Sequence, residues 1–328
     1  MNDEATLLVP FADTTVLVKP EEAQAAANYA SEAMAHNTKA AYAKGWRGYA
    51  SWCAEREFDP YGPRGQIALY LASLAEAGRK VSTISIALCA ITKAFDLQGL
   101  PSPREDRAVK LVYQGIRRKL GIAPEQVEAI LPQQLRAMVD ALPEASGKNR
   151  LRSLRNRAIL TLGWVGGMRR SEIVGLLSVD VTEVPEGLKV TIRRSKTDQE
   201  GKGRVVAIPY GTWIQTCPVR SLREWREAAG ITDGALFRTV TPSGDGVREY
   251  ALTDRQLANV VKQCAKRAGI DGRYSGHSLR AGLVTSAVRA GKDARSIQGV
   301  TGHKTVEMLY RYVREQKLFA DSPSAGLV

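Results

Sequence analysis

Apolar positions recur at spacings of three and four from "EEAQAAANYASEAMA" (21–35) to "VKLVYQGIRRKLG" (109–121). That is the period of helices burying one face, so the first third of the chain is predicted to be helical almost throughout. In "NTKAAYAKGWRGYASWC", Tyr42, Trp46 and Tyr49 fall on one face and predict core packing. "GLPSPRED" (99–106) is a turn between helices. "GIAPEQVEAILPQQL" (121–135), with prolines at 124 and 132, joins two helical blocks and marks the domain boundary. The second block opens with the helix "RSLRNRAILTLGWVGG". The period then changes: Leu188, Val190 and Ile192, followed by Val206 and Ile208, alternate around a polar, Gly-bearing turn and predict a β-hairpin. Thr253 with Gln256 opens a capped helix that closes at Gly269, and two more helices follow, "SLRAGLVTSAVRAG" and "TVEMLYRYVRE". The expected fold is mainly α, in two domains, the second carrying one small antiparallel β-sheet.

Composition narrows the partner. Lys and Arg exceed Asp and Glu by 13, which favours a polyanion, nucleic acid ahead of a membrane surface. Cys53, Cys89, Cys217 and Cys264 show no CxxC pairing, so neither a zinc finger nor a disulfide scaffold is expected, and a reducing cytoplasm fits better. "MNDEATLLVPFADTTVLVKPEE" is acidic and proline-broken, unlike a signal peptide, and no apolar run is long enough to span a bilayer. Residues 1–21 read as a flexible arm.

Candidate chemistry gathers near the end of the chain. In "GHKTVEMLYRY" (302–312), Val306, Leu309, Tyr310 and Val313 form one apolar stripe, so Tyr310 is a core position. Tyr312 lies off the stripe, beside Thr305 and Met308, and is the more available phenol. "SGHSLRAG" puts His277 and Arg280 one helical turn apart, able to face one object. Lys44 and Arg47 share another side of the aromatic helix; alone they fit either a solvated face or one that meets phosphate.

The order "GMRRSEI", "RRSKTD", "GHSLRAG", "GHKTVEMLYRY" resembles the tyrosine recombinase (phage integrase) family, most like its Cre-type simple recombinases. The resemblance implies Tyr312 as nucleophile, Arg169, Lys196, His277, Arg280 and His303 as catalytic residues, and Glu172 in support. Glu172 also fits a plain helix-start acid, and both readings stand. Lys202, across the same turn, is the alternative to Lys196 as general acid. The resemblance implies a helical, SAM-like core-binding domain over 22–122, a linker over 123–131, and a catalytic domain with its carboxy-terminal tail over 132–328. Arg255 matches a guanine-reading position, and Lys44 with Arg47 lie on a helix like one that enters the groove.

The function so implied is site-specific DNA recombination through a 3′-phosphotyrosyl intermediate, without metal, ATP or other cofactor. The expected partner is double-stranded DNA with inverted repeats, bound by a homodimer on each site and a homotetramer in the synapse, with no membrane. The expected setting is cytoplasmic and nucleoid-associated, in a prokaryotic, phage or plasmid context. Leu318 and Phe319 in the tail are candidate anchors on a neighbouring protomer. Type IB topoisomerases and telomere resolvases share similar catalytic residues and are the enzymatic alternatives; a DNA-binding regulator without chemistry is the other.

Overall fold

The computed structural model describes residues 21, 24–25, 28–29, 33–122, 127–195, 198 and 201–309 of the 328-residue chain. Lys196, Tyr310, Tyr312, Leu318 and Phe319 lie outside the described residues. The chain divides into two compact units, Met1–Pro124 and Glu125–Val328.

The first unit holds α1 (His36–Ala54), α2 (Gly65–Glu76), α3 (Val81–Leu97) and α4 (Arg107–Leu120). The aromatic face of α1 is its packing face. Tyr49 is fully buried and lies 5.7 Å from Trp46 and 5.2 Å from Tyr70, ring centre to ring centre. Such tilted contacts add about 0.5–1.5 kcal/mol beyond area burial. The Tyr49 hydroxyl accepts a bond from Gln66 Nε2 at 3.0 Å, which satisfies the one polar atom the ring carries inward. Gly45 lets α1 approach α3 closely, since a Cβ there would stand 2.9 Å from that of Ala90. Burial pushes the Tyr49 phenol well above its ordinary range, despite the Gln66 bond. Asp106 caps α4 by accepting from the backbone N–H groups of Ala108 and Val109.

The second unit is built on α5 (Pro132–Asp140), α6 (Arg150–Val165) and α7 (Arg170–Val174), followed by β1 (Val181–Val184), β2 (Gly187–Ile192) and β3 (Arg204–Pro209). Then come α8 (Pro218–Ala229), β4 (Arg238–Val240), β5 (Val247–Ala251), α9 (Asp254–Arg267), α10 (Gly276–Arg289) and α11 (Ala294–Thr301). The hairpin has the register its alternation implies: Leu188 faces Ile208 and Val190 faces Val206, all four buried. Thr253 and Gln256 form the capping box of α9. Three features go beyond the sequence pattern. A third strand, β1, pairs with β2; β4 and β5 form a second antiparallel sheet; and α8 and α11 are helices.

The core of this unit runs from Ile130 through α6 and the sheet to α9 and α10, with Trp225 of α8 at 0% exposure donating to the Leu236 carbonyl at 2.9 Å. The segment leading into α5 is pinned to α10: Ile130 N donates to Ser278 O, and Trp164 Nε1 donates to Ile130 O at 2.7 Å. All four cysteines are free, three of them buried. Among the described residues no helix is long and apolar enough to cross a membrane.

Candidate active site

The glycine-led turn of "GMRRSEI" ends α6 and starts α7. Gly167 takes a φ of +54°, and a Cβ there would meet Leu283 at 2.7 Å and Thr301 at 2.9 Å, so only glycine fits without strain. Met168 is fully buried and anchors the turn. The next residue, Arg169, is therefore held at the mouth of α7.

Glu172 is buried on the first turn of that helix, with no side-chain exposure. One oxygen accepts from Arg169 N at 2.9 Å, the bond of an acid at a helix start. The other accepts from Arg169 Nη1 at 2.8 Å, which orients the guanidinium. A second arginine, Arg204 at the start of β3, grips the same carboxylate through Nη1 at 3.3 Å and Nη2 at 2.9 Å. Burial alone would push the Glu172 carboxyl up; the bonds from Arg204 and Arg169 outweigh it and hold the group below its ordinary value. Glu172 thus does what both sequence readings describe, one with each oxygen.

Arg280, on α10, is 1% exposed. Its Nη1 donates to Gly167 O at 2.9 Å and to Thr301 O. Arg169 Nη2 donates to Gly302 O at 3.3 Å, and Arg204 Nε donates to Val300 O at 3.4 Å. Three consecutive carbonyls, 300 to 302, each receive a different guanidinium. They lie where α11 ends and Gly302 turns the chain at φ +65°. The carboxyl end of a helix exposes unpaired carbonyls of partial negative charge, so it can position cations without neutralising them. Among the described residues, three arginine charges stand against one carboxylate. The site keeps a net positive charge that a phosphodiester would complement.

Both histidines border this cluster. His277 is exposed near the start of α10, whose N-cap Ser275 accepts from His277 N at 3.3 Å. Desolvation, with the charges of Arg280, Arg169 and Arg170, holds its imidazole below the ordinary value. His303 is 8% exposed; burial and the charges of Arg280, Arg169, His277 and Arg204 push it down to about 3. Both rings are therefore neutral at pH 7. Gln298 Nε2 donates to His303 O at 2.9 Å and fixes the backbone there.

The structure brings Arg169, Glu172, Arg280, His277 and His303 together. Of the stripe on the last helix, Leu309 is buried and Val306 half-buried, while Thr305 and Met308 are exposed. The choice between Tyr310 and Tyr312 falls outside the described residues, as does Lys196. Between β2 and β3 the Asp198 carboxylate accepts from Lys202 N at 3.0 Å and Gly203 N at 2.7 Å. Ser195 Oγ accepts from Arg169 Nη1 at 2.8 Å, which ties the segment just after β2 to the cluster. Arg255, Lys44 and Arg47 are exposed on helix surfaces. Among the described residues no group of three or more His, Cys, Asp or Glu could hold a metal ion.

Arg204 and Ser195 were not legible as site residues. A charged residue at a strand end reads as solvated, and only the Arg204 bonds to Glu172 and to Val300 O show that β3 begins beside α7 and α11.

Residues 128–318 match the model of the phage integrase family. An integrase/recombinase XerD homolog of Selenomonas ruminantium is 34% identical over 294 residues, spanning 88% of this chain and 84% of that protein. The recombinase Cre of Escherichia phage P1 is 25% identical over 298 residues, 86% and 84% of the two chains. Among solved structures, the XerH site-specific recombinase bound to palindromic difH substrate, in a post-cleavage complex, aligns with a TM-score of 0.66 at 18% identity. That alignment covers 92% of this chain and 83% of XerH, and at such identity it speaks to the fold alone.

Proposed function

The chain belongs to the phage integrase family and is a tyrosine-type site-specific recombinase, and on that premise we propose that Tyr312 attacks a DNA phosphodiester to form a 3′-phosphotyrosyl bond and release a 5′-hydroxyl. The observation that carries this reading is the set of three guanidiniums on the carbonyls at the end of α11, Arg169, Arg204 and Arg280, two of which share the Glu172 carboxylate.

A phosphodiester repels nucleophiles, and a phenol with a pKa of about 10 is mostly protonated at neutral pH. Arg169 and Arg280 stabilise the pentavalent transition state through their planar forks; losing one such donor costs about 3 kcal/mol. Their donors are set before DNA arrives, because Glu172 and the carbonyls of Gly167, Thr301 and Gly302 hold them. His277, neutral and accessible, serves as general base or proton shuttle. Lys196 protonates the departing 5′ oxygen, with Lys202 across the turn as the alternative. His303 bonds a non-bridging oxygen. Glu172 orients; with both oxygens committed to arginines, it transfers no proton.

The phosphotyrosyl ester keeps the energy of the broken bond, so rejoining to another strand needs no ATP. The arginines fill the electrostatic role that paired divalent ions fill in many nucleases. XerH and a lambda integrase dimer are described on DNA. By analogy the substrate here is duplex DNA with inverted half-sites, a dimer on each site and a tetramer in the synapse. The unit Met1–Pro124 supplies the core-binding domain, with Lys44 and Arg47 toward the groove, and the second unit the catalytic domain, with Arg255 on a guanine. Cytoplasmic, nucleoid-associated action in a prokaryotic, phage or plasmid context follows from this reading.

The test is a nicked duplex carrying inverted repeats found beside the coding region. Wild type and Tyr310→Phe form a covalent protein–DNA adduct, and Tyr312→Phe does not. The opposite pattern refutes the assignment.

A further inference from the structure

Thr301 carries a single hydroxyl proton and has two neighbours for it. Its Oγ1 lies 2.7 Å from Ile297 O and 2.7 Å from His303 Nδ1. Thr301 is 0% exposed and His303 is 8% exposed, so water does not reach the pair freely. A carbonyl has no proton to give, so the bond to Ile297 requires Thr301 to donate. The proton on the second bond must then come from Nδ1. Were it Thr301 that donated to Nδ1, two buried oxygens would face each other lone pair to lone pair at 2.7 Å with no hydrogen between them. Only one arrangement satisfies all three atoms.

We propose that Thr301 is a positioning residue: its hydroxyl fixes His303 as the Nδ1–H tautomer and leaves Nε2 as a bare acceptor in the resting enzyme. The inference rests on the reading of His303 as part of the recombinase site and refines its role. Burial, together with the charges of Arg280, Arg169 and Arg204, keeps the ring neutral. An acceptor cannot bond a phosphate oxygen, so Nε2 must first gain a proton before His303 can donate to the DNA. A phosphate seated on the guanidiniums offsets the charges that keep that proton away, so DNA binding and proton uptake at Nε2 are coupled.

The segment is built to hold this geometry. Thr301 O is held by Arg280, Gly302 O by Arg169, and His303 O by Gln298, so the backbone on both sides of the pair is fixed. Nothing in "VTGHK" announces this. A threonine two residues before a histidine reads as an ordinary helix end.

The chain has three histidines, so a spectrum of the ¹⁵N-histidine-labelled protein is simple to assign, with His303→Gln identifying its ring. At pH 7 the wild-type ring shows a protonated Nδ1 and an unprotonated Nε2. Thr301→Ser keeps that pattern and wild-type cleavage. Thr301→Val, nearly isosteric, removes the acceptor for Nδ1–H and moves the proton to Nε2. A wild-type spectrum with the proton on Nε2, or a Thr301→Val spectrum that keeps it on Nδ1, overturns the proposal. The wild-type spectrum decides without any variant. These outcomes are independent of the adduct assay, so failure of the tautomer assignment and failure of the recombinase mechanism are read separately.

Discussion

The two units bury different things. Among the described residues of the first, the buried polar side chain is Gln66, and the core is aromatic and aliphatic, centred on Tyr49, Ile67, Leu71 and Phe95. The second unit buries Arg155, Glu172, Asp180, Arg280 and His303 together with several hydroxyls. Taking a charge out of water costs several kcal/mol unless it is paired and fully bonded. The first unit keeps Lys44 and Arg47 at the surface, where, in the function proposed above, they meet DNA phosphates at little cost. The second also carries charges inside, Glu172 and Arg280 among them, where fixed cations act strongly on a developing negative charge and need not reorganise. Binding and chemistry thus make opposite demands on burial.

The sharpest way to break that contrast is to remove the one anion of the buried cluster. Glu172→Ala leaves Arg169 and Arg204 without their carboxylate, and the loss is expected to be about 3–5 kcal/mol in urea unfolding of the whole chain. A loss below 1 kcal/mol would mean the cluster is solvated after all. The same carboxylate gives a pH test. Its folded value is depressed, so its contribution is present above the ordinary value of 4.5 and disappears as pH falls through the folded value.

Next in size is Arg280→Lys, which keeps the charge and loses the fork. Cleavage in a single turnover is expected to fall about 10²-fold, close to 3 kcal/mol, with DNA affinity little changed. Equal losses in affinity and rate would place Arg280 in binding instead.

His303 offers a smaller effect with a definite sign. Its folded value, about 3, lies below the ordinary 6.5, so the unfolded chain binds the extra proton between those limits. Stability therefore falls as pH drops through this range, at up to about 1.4 kcal/mol per pH unit from this residue. His303→Gln is expected to flatten that slope, seen in unfolding curves at pH 6.5 and 5. An unchanged slope would show that the ring is not held neutral.

The smallest effect belongs to the first unit. Lys44→Ala is expected to weaken DNA binding and lower the salt slope by about 1, with cleavage at saturating protein unaltered. A changed cleavage rate would bring this surface into the chemistry and erase the contrast.

The helices and the hairpin were legible because their apolar periods are strong: Leu188, Val190, Ile192, Val206 and Ile208 alternate, and every one is buried. The one-turn spacing of His277 and Arg280 showed that they share a helix face. It did not show that one is exposed and the other sealed against Gly167 and Thr301, because that depends on the distant turn between α6 and α7 and on the end of α11 closing over it. Helix α11 itself is short and its sequence, "ARSIQGVT", carries only Ile297 and Val300 as strong apolar signals. Arg204 was hidden for a related reason: its neighbours are set by sheet register and by the end of α11, neither of which has a local signature. Local period reveals elements; the site is made where their ends meet.

The central claim is best tested on the trapped protein–DNA complex itself. After exhaustive protease and nuclease digestion, mass spectrometry of the labelled peptide is expected to find the nucleotide on the oxygen of Tyr312, bonded through a 3′ phosphate. Nucleotide on Tyr310, attachment through a 5′ phosphate, or no modified peptide from an active preparation would contradict the account.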